Sequence, residues 1–412
     1  MINILSVLWD VGIGGGETRV LNLASTIDST RFRLTVAVGH SPHPQFETRF
    51  GSLRTQFEAA GVRIVDLGLP RHVGRGRLRV SSMLRAARVA AQAVLRLRRL
   101  IASMKIDLVD GHLENALLTA VPAAASLGVP SAVTLYSELH LWKGSDFRAH
   151  APLTRGLRRA SFGLCDALIT DAAVRGEELS RYAGALAPPV YVIPNGVRRL
   201  VSQRPREEML RELDIPVDTR ATIIGQIARL VPFKGQRIFL ETTRALMDRG
   251  ADVYALCVGY PCAGEEYRNE LLCQAEQLGI SHRLRIRPYP GNVADIWQLI
   301  DIHVHPSLID SLPTALIEAM SLGKPSVIAN VGGIPDHVVD EINGLLVPPD
   351  NAAAVVEAVL RLLRDRDLGR RLGAAAYQHY LQCFTPDVTT RQVERCFTEI
   401  LEGHRRRRLA VA

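Results

Sequence analysis

The chain has 412 residues, 47% of them hydrophobic but only 5% aromatic, and carries a net charge of +8 with a pI near 9.4. That length suggests about two or three domains, and no apolar run of roughly 18 residues is present to suggest a membrane-spanning helix. The six cysteines are widely spaced and form no CxxC pair, which argues against a disulfide framework or a zinc ribbon and for reduced thiols in a cytoplasmic setting.

The opening MINILSVLWDVG lacks a basic leader and a small-residue cleavage site, so it is expected to be a first strand and not a signal peptide. The run Ile2–Leu8 leads through Gly14, Gly15 and Gly16 into a helical pattern, TRVLNLASTI. FRLTVAVG and RIVDLG read as the next strands. No acid then occurs between Asp66 and Asp107, a stretch holding Arg71, Arg75, Arg77, Arg79, Arg85, Arg88, Arg96, Arg98, Arg99 and Lys105. The spacing predicts a helix over about Ser81–Met104, with Leu84, Ala87, Val94, Leu97 and Ile101 on one side. It is either a core-packed helix with a solvated basic face or a dock for anionic lipid, worth ~1 kcal/mol per basic residue near the surface. IDLVDGH, SAVTLY, DALITD and VYVIPNGV (Tyr191–Val197) complete this half as strands.

An exposed helix and turn, RPREEMLRELDIPVDTR, separates it from a second strand series: ATIIGQIARL, VYALCVG, LRIRPYP, IDIHVHPS, KPSVIAN and NGLLVPP. Strands alternating with helices predict parallel sheets of the α/β class. The expected divisions are residues 1–197, 198–380 and 381–412, the last an amphipathic helix with Val393, Phe397 and Ile400 on one face, then a basic tail. Asp365-Arg366-Asp367, the one literal DxD, lies in a charged helical stretch and reads as solvated surface.

The segment PSLIDSLPTALIEAMSLGKP (Pro306–Pro325) reads as strand end, loop, helix and stop. Pro313 suits a first helical turn; Leu312, Ala315, Leu316, Ala319 and Met320 are expected to pack inward; Gly323 suits the C′ position. Asp310 stands before this helix and Glu318 within it, their backbones ~12 Å apart at 1.5 Å per residue. That exceeds the ~5–9.5 Å of a glycosidase carboxylate pair. The two acids could instead grip distant parts of one long ligand, with a helix N-terminus between them for phosphate. A nucleoside diphosphate sugar has that shape. The alternative is an Asp cap and a solvated Glu.

At this point the sequence resembles a known family. Asp310-x7-Glu318 is similar to the E-x7-E signature of the large family of retaining GT-B glycosyltransferases. GGGETRVLNLA, IDLVDGHLENALL, VYVIPNGV, IGQIARLVPFKGQ and GGIPDHVVDEINGLLVPPDN resemble its other motifs in order along nearly the whole chain. The resemblance implies two Rossmann-like domains facing across a cleft, with the C-terminal helix packing back on the first domain. It implies a hexosyltransferase that moves a sugar from a UDP- or GDP-sugar to a glycan or lipid-linked acceptor in cell-surface polysaccharide synthesis. No metal or other cofactor is implied, and the protein is expected in the cytoplasm, peripheral to the inner face of the membrane. Arg229 and Lys234 would neutralise the departing diphosphate, Gly15 and Gly16 would close over it, and Leu312, Pro313 and Thr314 would approach it. Asp310 would hold hydroxyls of the transferred sugar and Glu318 those of the ribose.

Three positions depart from the family pattern. Asp310 is shorter by one methylene than the usual Glu. Tyr136 stands where many relatives place a functional His, leaving His112 or His140 to contact the sugar. Arg198 stands where an Asp is usual. Competing readings are a sugar-nucleotide epimerase of the same fold, a nucleic-acid-binding protein suggested by charge alone, and a dehydrogenase. The sequence lacks RRM, KH and helix-turn-helix signatures and is sparse in aromatics, which opposes nucleic acid as a partner. It lacks the GxGxxG fingerprint of the dehydrogenase.

Overall fold

The computed structural model describes residues 1–12, 14–39, 52–70, 80–136, 151–261 and 264–411, without the side chains of 80–84, 151–155 and 411. The chain forms two compact units, Met1–Gly196 with Pro386–Ala412, and Val197–Thr385.

The first unit is built on a seven-stranded sheet: β1 (Ile2–Leu8), β2 (Phe32–Val38), β3 (Arg63–Asp66), β4 (Leu108–His112), β5 (Ser131–Thr134), β6 (Ala167–Thr170) and β7 (Val190–Val192). The order is β3-β2-β1-β4-β5-β6-β7, and every strand pair is parallel. Its central strands are apolar along almost their whole length because helices cover both faces of the sheet. Ile4, Leu5, Leu8, Val36, Val38 and Leu108 are all fully buried.

The second unit repeats the plan with six strands: β8 (Thr222–Ile227), β9 (Val253–Val258), β10 (Leu284–Arg287), β11 (Ile302–His305), β12 (Ser326–Ala329) and β13 (Leu345–Val347), in the order β10-β9-β8-β11-β12-β13. In each sheet the direction of strand addition reverses beside the first strand, between β1 and β4 and between β8 and β11. Neighbouring crossover loops leave in opposite directions there, so the strand ends open a crevice for ligand.

The helix Pro386–Val411 belongs to the first unit. Val393, Cys396, Phe397, Ile400 and Leu401 enter one core with Ile4, Leu8, Val20 and Val36. Polar contacts fix its register: Glu394 Oε1 accepts from the Asp28 backbone N–H at 2.7 Å, and Thr26 and Thr390 hydroxyls meet at 2.5 Å. The predicted basic tail is instead a continuation of this helix. His404 Nε2 lies 3.0 Å from Gly128 O, and Arg407 pairs with Asp166.

Other expectations need correction. The strand expected over Tyr191–Val197 stops at Val192, because its neighbour β6 ends at Thr170 and Pro194 has no N–H to donate; the carbonyls of Ile193 and Pro194 accept from the Arg19 guanidinium instead. The basic helix spans Val80–Ser103, and its buried stripe is Val89, Ala93, Leu97 and Ile101; Ala87 faces solvent, and the Leu84 side chain lies outside the described residues. Arg71, Arg75, Arg77 and Arg79 also lie outside them. Asp365, Arg366 and Asp367 are exposed at a helix start, as expected; Asp365 caps the helix Arg366–Cys383, accepting from Leu368 N at 2.9 Å, while Asp367 pairs with Arg370.

Phe397 is fully buried in the first unit's core, so Phe397→Ala should cost about 3–5 kcal/mol there. Hydrogen exchange should show the loss at the amides of β1 and β2 and leave those of β8 unchanged.

Candidate active site

The second unit's crevice is assembled by two loops that the sheet makes neighbours. Arg229 follows β8, and a 3-10 turn, Pro232–Lys234, comes next. Gly235 sits at φ +73°, and a Cβ there would lie 1.9 Å from the Pro306 carbonyl. Only glycine allows that approach. Gln226 Nε2 donates to Lys234 O at 2.6 Å, Gln236 Nε2 donates to Arg229 O at 2.9 Å, and Leu308 N donates to Phe233 O at 2.8 Å. The basic loop is thus stitched to the segment leaving β11.

The consequence is an ion pair. Lys234 Nζ lies 2.5 Å from Asp310 Oδ2, with both side chains largely buried. The same oxygen is 2.9 Å from His305 Nε2 and 3.1 Å from Ser307 Oγ. Burial opposes ionisation of Asp310, but His305 and Lys234 outweigh it and hold the carboxyl well below the usual range. Asp310 is therefore not a helix cap. Arg229 is exposed and makes no ion pair among the described residues.

The helix Thr314–Ser321 follows, with Pro313 just outside its first turn and no side chain capping it. The N–H of Leu316 bonds Pro313 O at 3.0 Å, and those of Thr314 and Ala315 have no partner among the described residues and are open to an anion. Leu312, Ala315, Leu316, Ala319 and Met320 are buried as their spacing requires. Thr314 is half-buried at the N-terminus. At the other end Gly323 N bonds Met320 O and Lys324 N bonds Ala319 O, at 3.0 and 2.9 Å, with Gly323 at φ +62°. That is a Schellman stop. Glu318 points away from Asp310's network to Trp297, whose indole Nε1 donates to its Oε2 at 2.7 Å. Burial pushes the Glu318 carboxyl up to about 7 against the opposing effect of that bond. His303 stands edge-on to the Trp297 ring at 5.2 Å, and burial, then His305, keeps it well below its ordinary pKa.

The first unit's crevice carries different chemistry. Gly14 precedes the helix Gly15–Thr26, and Gly16 packs against the Tyr136 ring, which a Cβ would approach to 3.3 Å. His112 ends β4 and is buried. Its Nε2 lies 2.8 Å from Asp110 Oδ2, which also accepts from Ser6 Oγ at 2.9 Å, and its Nδ1 lies 3.3 Å from the Tyr136 hydroxyl. Tyr136 and His112 therefore share one place. His140 lies outside the described residues. Arg198 is exposed, and nothing in the structure explains it.

Sequence reasoning missed His305, Ser307, Trp297 and Asp110. The alternation in DIHVHPS puts His303 and His305 on one face of β11, which was a readable signal. The partners across the fold left none.

Asp310 has a folded pKa below its unfolded value, so its contribution to stability is present above about pH 4 and is lost as pH falls below that. Asp310→Asn should cost about 3 kcal/mol at neutral pH by leaving Lys234 unpaired. The gap from the parent protein should narrow as denaturant midpoints are taken below about pH 4.

Comparison with known proteins adds the family. The family model described as Glycosyl transferases group 1 matches residues 207–379, and that of Glycosyltransferase Family 4 matches residues 13–199. A D-inositol 3-phosphate glycosyltransferase of Streptomyces bingchenggensis is 31% identical over 256 residues, 60% of this chain and 55% of its own. One from Corynebacterium glutamicum is 30% identical over 205 residues, 48% of each. The chain thus spans about half the length of the curated relatives it matches. Anabaena HepE, solved with UDP and glucose, superposes with a TM-score of 0.76 at 19% identity, over 97% of this chain and 100% of that one. A glycosyltransferase from Rickettsia africae gives 0.75 at 16%, over 97% and 98%. These two show the shared α/β fold of GT-B type. With both family models matched in succession along the two units, the chain belongs to the group 1 glycosyltransferases.

Proposed function

We propose that the chain transfers a glycosyl group from a nucleoside diphosphate sugar, a UDP- or GDP-sugar, to an acceptor hydroxyl with retention of anomeric configuration. The observation that carries this is the Lys234–Asp310 pair set before the uncapped helix Thr314–Ser321, with Arg229 unpaired among the described residues beside it. An ammonium has three donor hydrogens, so Lys234 can take a phosphate oxygen without leaving Asp310. Arg229 adds a planar fork suited to a diphosphate.

Charge builds on the leaving diphosphate as the glycosidic bond breaks. The two cations and the helix N-terminus are in place before it appears, which is the basis of electrostatic catalysis. The acceptor hydroxyl adds to the anomeric carbon on the face the diphosphate leaves. Its proton passes to the departing phosphate oxygen, so no carboxylate nucleophile is required. Asp310 keeps Oδ1 for a hydroxyl of the transferred sugar, and Glu318 keeps Oε1 for the ribose. In this reading the cations replace a metal ion.

The acceptor is a glycan or lipid-linked hydroxyl in cell-surface polysaccharide assembly. Arg85, Arg88, Arg98 and Arg99 are exposed on the helix Val80–Ser103 and favour an anionic membrane surface nearby. The name of the curated relatives supports a second acceptor class, a phosphorylated cyclitol.

Lys234→Ala should lower kcat by about 10²–10³, and the anomeric coupling of the product should match that of the donor by NMR. An inverted product refutes retention. Activity lost to chelator and restored by a divalent cation refutes the metal-free reading. Conversion of the donor to its epimer without acceptor supports the epimerase instead.

A further inference from the structure

We infer that Trp297 is a positioning residue for donor binding: its indole N–H holds one oxygen of Glu318 so that the other is presented to the nucleotide ribose. The inference rests on the donor reading above, and its test separates the two.

Trp297 ends the short helix Val293–Trp297 and is fully buried. It belongs to one buried cluster with Leu210, Leu213, Ile296, Ile300, Ala315 and Ala319, and its ring is met edge-on by His303. A side chain buried in a packed core has few orientations open to its N–H. An indole is a donor only, and when buried it needs an acceptor. Glu318 Oε2 is that acceptor, at a distance short for N–H···O, as expected of a bond to a charged group.

Glu318 depends on Trp297 in return. Its helix neighbours Ile317, Ala319 and Met320 are apolar and buried. The indole bond is its one side-chain hydrogen bond among the described residues, and Oε1 is not among the sealed, unpartnered polar atoms. One oxygen is thus anchored and the other is open.

The anchor also governs charge. A carboxylate can accept from ribose hydroxyls with both lone pairs of Oε1; protonation weakens it as an acceptor. Burial favours the protonated form of Glu318, and the indole favours the carboxylate. Lys234, Asp310 and His305 lie at the same strand ends but do not set this balance, and buried His303 is held neutral. Lys324, beyond the helix, answers to burial and then to Asp301 and Arg206.

The test is calorimetric binding of UDP and GDP from about pH 6 to about pH 8.5, with kcat and donor KM alongside. Trp297→Phe keeps an aromatic ring in the core, smaller by the fused five-membered ring, and removes the N–H. It should weaken nucleotide binding by about tenfold at neutral pH, the worth of one charged hydrogen bond. The binding midpoint should move to higher pH, alkaline conditions should restore part of the loss, and kcat at saturation should change far less than KM. Glu318→Gln keeps an acceptor for the indole and should flatten the pH dependence. An unshifted midpoint in Trp297→Phe, or a retained pH dependence in Glu318→Gln, overturns the inference.

The ligand-free protein gives an independent readout. The Glu318 carboxyl is raised on folding, so its contribution to stability is present below its unfolded value and is lost as pH rises through about 7. That loss should extend to higher pH in Trp297→Phe and vanish in Glu318→Gln. If this pattern holds and neither nucleotide binds at any pH, the donor reading falls while the indole–carboxylate coupling stands. If nucleotide binds and the pattern is absent, the coupling falls and the donor reading stands.

Discussion

The contact between Lys234 and Asp310 is the constraint on which the second unit's site depends. The two residues are 76 apart in sequence, and they meet because β8 and β11 are neighbours in the sheet. Gly235 then lets the basic loop lie on the Pro306 carbonyl. A largely buried ion pair adds little net stability, since desolvation consumes most of the attraction. What it supplies is a charge held in place. His305 and Ser307 complete the set by bonding the same carboxylate oxygen, which leaves the other without a partner among the described residues.

Much of this was legible from periodicity. The strand and helix alternation, the inward stripe of Thr314–Ser321 and the Gly323 stop all follow from local chemistry, and the structure has them. The spacing of Asp310 and Glu318 identified a helix with an acid before it and one inside it. What those acids touch was not legible, because Lys234, His305 and Trp297 reach them through tertiary contacts. The errors have the same origin. β7 ends early because its neighbour β6 ends at Thr170, and the carbonyls beyond it go to Arg19, far away in sequence. The stripe on Val80–Ser103 shifts because its packing partners decide which of several apolar rows goes inward.

The two units place unlike chemistry at the same topological point. In the second unit it is cationic: Arg229, unpaired among the described residues, Lys234 and a helix N-terminus. In the first, buried Arg19 gives Nη1 to the carbonyls of Ile193 and Pro194 and to Asn195 Oδ1, while its Nη2 has no partner among the described residues. What remains is a chain from Ser6 through Asp110 and His112 to Tyr136, made of groups that exchange hydrogen bonds with hydroxyls. Phosphate recognition suits the second set and hydroxyl recognition the first. A shared fold does not require a shared role, because the residues at the strand ends are free to differ.

Within the second unit the same separation recurs over a single turn and a half of helix. Asp310 is surrounded by donors, and His305 and Lys234 hold its carboxyl well below the usual range. Glu318 has one donor and an apolar setting, and its carboxyl is pushed up to about 7. Two carboxyls whose environments drive them apart are suited to different tasks. The one held low can anchor a lysine, which in the proposed function faces a diphosphate. The other is raised toward neutrality, so in the proposed function its grip on a hydroxyl pair would depend on the bond that favours its charged form. That bond comes from a tryptophan fixed in the core, which ties the packing behind the helix to the chemistry in front of it.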